Sequence, residues 1–251
     1  MRLFDTHCHL GWFEDPSRAA RRAQASDLGI LAVTVCPEEY RALAGVVGDA
    51  DNVAVAAGLH PWWVRDARDA DALIDILPEV RFVGEIGLDA APQHSAAWEA
   101  QIDVFERICT ACSKTSDPSA PKVLSIHAVR SAGHVLDVLE RSRTAERCRC
   151  VLHWFSGSSE ELWRAVDLGC IFSLGEQSLS TRRGREYARI LPPDRLLTET
   201  DLPKEQETPT TIEDVTSSLE RTVAAVAAAR NADIDDVRHL LASNATGLLG
   251  I

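Results

Sequence analysis

The chain has 251 residues, 45% hydrophobic and 25% charged, with a formal net charge of −12. That composition excludes a disordered or fibrous protein and suffices for a large buried core. The acidic balance argues against a broad, sequence-independent DNA-binding face, but leaves room for a local phosphate site carrying metal ions.

No run of about 18 apolar residues occurs, so no helical membrane span is expected. The opening MRLFDTHCHL turns polar and His-rich within five residues, unlike a signal peptide, and a cytoplasmic location is expected. Among the seven cysteines, Cys109 and Cys112 form a CxxC and Cys148 and Cys150 a CxC. Neither has a second pair at zinc-site spacing, so core thiols are expected.

Eight short β-branched or apolar runs follow one another, at 2–5, 30–35, 53–57, 81–85, 123–127, 150–153, 170–174 and 195–199. Helical spacing fills 16–28, 95–114, 130–141, 159–168 and 183–191. Eight strand–helix units in a chain of this length predict an α/β fold, a (β/α)8 TIM barrel forming one domain over residues 1–251. A doubly wound open sheet is the rival, but the glycine turn it usually needs after the first strand is missing. From Thr211 onward the pattern is helical, with Thr211 as N-cap and Glu213 and Asp214 in the first turn. A last helix is expected to start at Asp233 or Asp235 and to end near Asn244.

The strongest local signal is Asp5-Thr6-His7-Cys8-His9. Residues two apart on a strand share a face, so His7 and His9 can chelate one divalent ion. Glu85, His127 and His153 stand at the ends of the fourth, fifth and sixth runs, and Asp201 follows the eighth. In a barrel these ends converge on one mouth. The donor count suggests two divalent ions: His7, His9 and Asp201 for one, His127 and His153 for the other, with Glu85 between them. Paired ions of that kind suit hydrolysis, with Asp201 as candidate general base. The donors permit zinc, manganese or magnesium.

The motifs DTHCHL, GLHP, GEIGLD, the IH at 126–127, LHWFSG and TETDLP, in that order, resemble the TatD family of metal-dependent deoxyribonucleases. The resemblance covers residues 2–203. It implies an amidohydrolase-type TIM barrel and a divalent-metal phosphodiesterase acting on DNA. It carries the ligand roles to His7, His9, Glu85, His127, His153 and Asp201, a phosphate-side role to His60, and a supporting acid to Asp89. Two departures stand out. Arg130 lies one place later than the family's arginine after the fifth strand, and the loop 204–210 is short and acidic. The HWFSG spelling and this loop also resemble the TatD-like subunit of the Qat anti-phage system, which implies a defence role and protein partners.

Further candidates are Arg130 and Trp154 as substrate contacts, the latter able to stack a base, and Asp5 as a partner orienting an imidazole. Glu199 is read either as such a support or as a buried acid with a backbone partner. Trp62 and Trp63 are expected to pack in their loop, and Arg182, Arg183 and Arg185 to start a solvated helix. His94, His134 and His239 lie off the strand ends and are expected to be structural. The acidic surface favours single strands or ends over long duplex. Alternatives are another amidohydrolase-type hydrolase, such as a lactonase, and a weakly active subunit of a larger complex.

Overall fold

The computed structural model describes residues 2–47 and 50–251. In chain order it contains β1 (Leu3–Cys8), α1 (Pro16–Ala25), β2 (Leu28–Ala32), α2 (Pro37–Val47), β3 (Val53–Val55), α3 (Asp71–Ile74), β4 (Phe82–Asp89), α4 (Trp98–Thr115), β5 (Val123–Val129), α5 (Ala132–Arg141), α6 (Thr144–Arg147), β6 (Arg149–His153), α7 (Ser159–Asp167), β7 (Ile171–Leu174), α8 (Glu176–Ser180), α9 (Arg182–Ile190), β8 (Leu196–Thr198), α10 (Ile212–Arg230) and α11 (Ile234–Leu249). Two compact units divide the chain, one built from residues 1–33, 41–55 and 172–251, the other from 34–40 and 56–171.

In the first unit, β1, β2 and β3 pair in parallel, and so do β7 and β8. The last strand lies beside the first. Thr6 Oγ1 donates to Thr198 O at 2.9 Å, and Thr198 Oγ1 donates to Phe4 O at 2.7 Å. That is the neighbour relation that (β/α)8 order requires. Phe4, Ile30, Leu31 and Phe172 are fully buried, each contributing about 1.5–3 kcal/mol on transfer from water. Thr211 caps α10 through a capping box with Asp214, and α10 buries Val215, Leu219, Val223 and Val226 at helical spacing. Asp233 caps α11 by accepting from the N–H groups of Asp235 and Asp236.

The expected end of the last helix near Asn244 needs correction. α11 runs to Leu249 and closes on Gly250, whose φ of 74° is left-handed. Its last turn buries Leu248 and Leu249, and that burial outweighs the weak helix preference of Gly247.

In the second unit β4, β5 and β6 pair in parallel, and Ala57 bridges to Val83. α4 buries Val104, Phe105, Ile108, Cys109 and Cys112. Cys109, Cys112, Cys148 and Cys150 are buried free thiols, and burial pushes all four above the usual thiol range. A capping box between Ser158 and Glu161 starts α7.

Three non-glycine residues that follow strands adopt left-handed φ: Arg130 at 53° after β5, Trp154 at 42° after β6, and Asp201 at 57° after β8. Such conformations cost about 1–3 kcal/mol each and persist where the surroundings enforce them. No helix among the described residues is long and apolar enough to cross a membrane.

Candidate metal centre

The first unit gathers His7, His9 and Asp201, whose ligand atoms all lie within 4.8 Å of one another. Strand alternation puts both imidazoles on one side of the β1 end. Asp201 Oδ1 stands 3.3 Å from His9 Nε2 and 3.7 Å from His7 Nε2. The other carboxylate oxygen, Oδ2, is 2.9 Å from Lys204 Nζ. Two main-chain bonds fix the loop after β8 to β1: Asp201 N–H donates to His7 O, and His9 N–H donates to Leu202 O, both at 2.9 Å. These bonds hold Asp201 in its left-handed conformation. Trp12 stacks on the His9 ring at 4.1 Å and 9°, which fixes that ring's plane.

Asp5 lies beneath this cluster. Its carboxylate accepts from the N–H groups of His7 and Thr200, at 3.2 and 2.9 Å, and from the Thr200 hydroxyl. It therefore grips the main chain of both ligand-bearing segments. Full burial pushes its pKa up to about 7, against the lowering effect of these hydrogen bonds. Glu199 is buried and accepts from the Ser173 hydroxyl.

The second unit gathers three histidines about one carboxylate oxygen. Glu85 Oε1 lies 2.6 Å from His127 Nδ1, 2.9 Å from His153 Nε2 and 3.3 Å from His60 Nε2. All four residues are buried. Glu85 does not end its strand, because β4 continues to Asp89. The pairing register of β4 with β5 shifts between Val83 and Ile86, so Glu85 sits at the irregularity. Its N–H donates to Thr34 O at 2.9 Å, and its C=O accepts from Leu59 N–H at 3.0 Å. Gly58 permits that approach, since a Cβ there would collide with Thr34 O and the Glu85 amide.

Hydrogen bonds assign the roles of the ring nitrogens. Asp89 Oδ2 lies 3.3 Å from His127 Nε2, and His127 Nδ1 faces Glu85 Oε1 at 2.6 Å and His153 Nε2 at 3.3 Å; a metal ion held beside Glu85 and His153 would meet Nδ1, with Asp89 keeping the Nε2 proton. Burial opposes the charge of Asp89, but hydrogen bonds from His127, Trp62 and the Ala91 N–H overcome it and hold the carboxyl well below the usual range. Burial likewise opposes the His127 cation, but Asp89 and Glu85 raise its pKa above the ordinary value. His60 Nδ1 accepts from the Trp62 N–H at 3.1 Å, so in neutral His60 the proton resides on Nε2. His60 thus presents an N–H donor, whereas Glu85 Oε1, His127 Nδ1 and His153 Nε2 are the atoms that would meet a metal ion.

Arg130 and Trp154 directly follow β5 and β6 and are exposed. Arg185 Nη1 donates to Leu179 O and Ser180 O, which ties it to the end of α8. His134 meets Trp98 edge-on, and His239 Nδ1 donates to Asp235 O. One expectation changes. Trp62 is 53% exposed, and its Nε1–H donates to Asp89 Oδ2 at 2.6 Å. His94, off any strand end, stacks on the Trp62 ring at 4.9 Å and 16°. Sequence spacing carries no signal for that stack, which forms by tertiary contact.

The family model described as TatD related DNase matches residues 4–250. The chain belongs to the TatD family. The 3'-5' ssDNA/RNA exonuclease TatD of Edwardsiella piscicida is 30% identical over 203 residues, covering 75% of this chain and 73% of that protein. The uncharacterized metal-dependent hydrolase YcfH of Escherichia coli is 29% identical over 216 residues, covering 81% of this chain and 78% of its own. Among solved structures, the TatD homologue YJJV of Escherichia coli superposes with a TM-score of 0.81 at 23% identity, covering 100% of this chain and 98% of its own. Dihydroorotase from Campylobacter jejuni follows the same fold, with a TM-score of 0.59 at 12% identity, covering 100% of this chain and 84% of its own. This TatD-family chain therefore has a (β/α)8 barrel fold and is a metal-dependent hydrolase.

Proposed function

We propose that the chain is a deoxyribonuclease that hydrolyses phosphodiester bonds at ends or in single strands of DNA. The carrying observation is the convergence of three histidines on Glu85 Oε1, with the Asp89 bond turning His127 Nδ1 toward it. His7, His9 and Asp201 hold one divalent ion, and Glu85, His127 and His153 hold a second. Both donor sets mix imidazole with carboxylate, which suits zinc or manganese and tolerates magnesium. When bound, such ions neutralise charge on a phosphoryl group and make water a nucleophile near neutral pH.

The chain's own groups complete the chemistry. His60 Nε2–H is a hydrogen-bond donor for a phosphate oxygen as negative charge grows there. Asp201, whose side chain is 18% exposed, accepts a proton from the attacking water. Arg130 and Trp154 contact substrate. The net charge of −12 disfavours long duplex outside the site. The Edwardsiella relative is named for action on single-stranded DNA and RNA from the 3' end, which supports an end-directed activity here.

Many enzymes of the amidohydrolase type carry a carboxylated lysine on the fourth strand. Here Glu85 holds that strand, and the three lysines lie elsewhere. Lys122 donates to Leu77 O and Val80 O, Lys204 pairs with Asp201, and Lys114 lies in the last turn of α4.

Residues 1–251 act as one catalytic domain in the cytoplasm. The resemblance to the Qat subunit supports a role in anti-phage defence with protein partners, which co-purification with neighbouring gene products tests. The activity is tested on an end-labelled single-stranded oligonucleotide with magnesium, manganese or zinc, with chelator, and with Glu85→Gln. Metal-dependent cleavage lost in the variant is expected. Metal-independent cleavage, or none with any metal, overturns the proposal.

A further inference from the structure

We infer that Trp62 is the platform on which this site stacks a nucleobase of its substrate, so that it reads the base next to the phosphate; this rests on the nuclease reading above. Trp62 lies on the 3₁₀ turn Pro61–Trp63, which follows His60 directly. Trp62 is 53% exposed, although a residue of this size normally buries most of its apolar surface. The ring is also rigidly held. Its Nε1–H is bound to Asp89 Oδ2 at 2.6 Å, His94 stacks on it at 4.9 Å and 16°, and His60 meets it at 4.8 Å and 77°.

Those partners join the indole to the phosphate-side chemistry. Asp89 Oδ2 also receives His127 Nε2, and the His127 ring centroid lies 6.4 Å from that of Trp62. The His60 Nδ1 that accepts from the Trp62 main-chain N–H belongs to the ring whose Nε2 faces Glu85. An exposed aromatic ring thus stands two hydrogen bonds, through Asp89, from a ligand histidine. In a nucleotide, the planar group joined to the phosphate through the sugar and able to cover such a ring is the base. The parallel His94 ring shows that the indole accepts a planar aromatic partner. Stacking is available to every base, so the platform distinguishes a base from no base rather than one base from another.

The test compares binding of a labelled single-stranded oligonucleotide with the same oligonucleotide made abasic at its end. It is done with metal-loaded Glu85→Gln protein alone and combined with Trp62→Ala or Trp62→Phe. Loss of one stacked base corresponds to a weakening of about 5- to 150-fold. The abasic oligonucleotide is expected to bind weaker by that factor. Trp62→Ala should erase the difference, and Trp62→Phe, which keeps a ring but loses the N–H, should retain most of it. Equal binding of both oligonucleotides, or equal weakening of both by Trp62→Ala, overturns the platform. A base preference in Glu85→Gln with no cleavage by the wild type leaves the platform standing and removes the nuclease reading. Absence of both binding and cleavage removes both.

Discussion

Asp89 Oδ2 lies 3.3 Å from His127 Nε2, which leaves the ring's other nitrogen, Nδ1, on the side of Glu85 and His153. With a metal ion between Glu85 Oε1 and His153 Nε2, Asp89 would hold the Nε2 proton and leave Nδ1 free to ligate. Asp89→Asn keeps an acceptor oxygen but drops the charge. Metal affinity of the second-unit cluster should fall about 10- to 100-fold, with the circular-dichroism spectrum unchanged. Competition against a chromophoric chelator measures this.

His60 is expected to behave differently from the other histidines of its cluster. Its Nδ1 is used by the Trp62 N–H, so it offers a donor and no lone pair. His60→Gln should leave the metal content per chain unchanged and lower turnover about 10²- to 10³-fold, the effect of losing one transition-state donor. Elemental analysis beside steady-state kinetics separates the two effects. Loss of an ion in this variant would make His60 a ligand.

Gly87 has a φ of 141°, and a Cβ there would strike the main chain of His127. Gly87→Ala should therefore destabilise the protein by more than about 2 kcal/mol. Each kcal/mol should appear as roughly 2–4 °C in Tm, read by thermal unfolding.

The pKa of Asp5, raised to about 7, makes a signed prediction for the metal-free protein. Between the ordinary carboxylate range and about 7, the folded state holds a proton that the unfolded chain has released. Stability should therefore fall as pH rises through that window. Asp5→Asn cannot ionise and should lose this part of the slope. Urea unfolding in chelator from pH 4 to 7 compares the two proteins.

Much of the site is legible because its donors lie on strands. His7 and His9 follow from alternation, and the Thr211–Asp214 capping box marks the start of α10. Boundaries are less legible. β4 runs past Glu85 to Asp89 because Gly84 and Gly87 let the strand pass close to β5, a property of packing rather than spacing. α11 continues beyond Asn244 because Leu248 and Leu249 find burial. The exposed setting of Trp62 is not legible for a related reason. A Pro-Trp-Trp run is compatible with loop packing, and only the positions of Asp89 and His94 in space show that this ring is held open.

Metal content is the most direct measurement of the account. Protein stripped with chelator, reloaded with zinc or manganese and dialysed should hold two ions per chain. Asp201→Asn combined with His9→Ala should hold one, and Glu85→Gln combined with His153→Ala should hold one. Retention of both ions by either double variant, or no retained metal in the wild type, would contradict two clusters that each bind an ion.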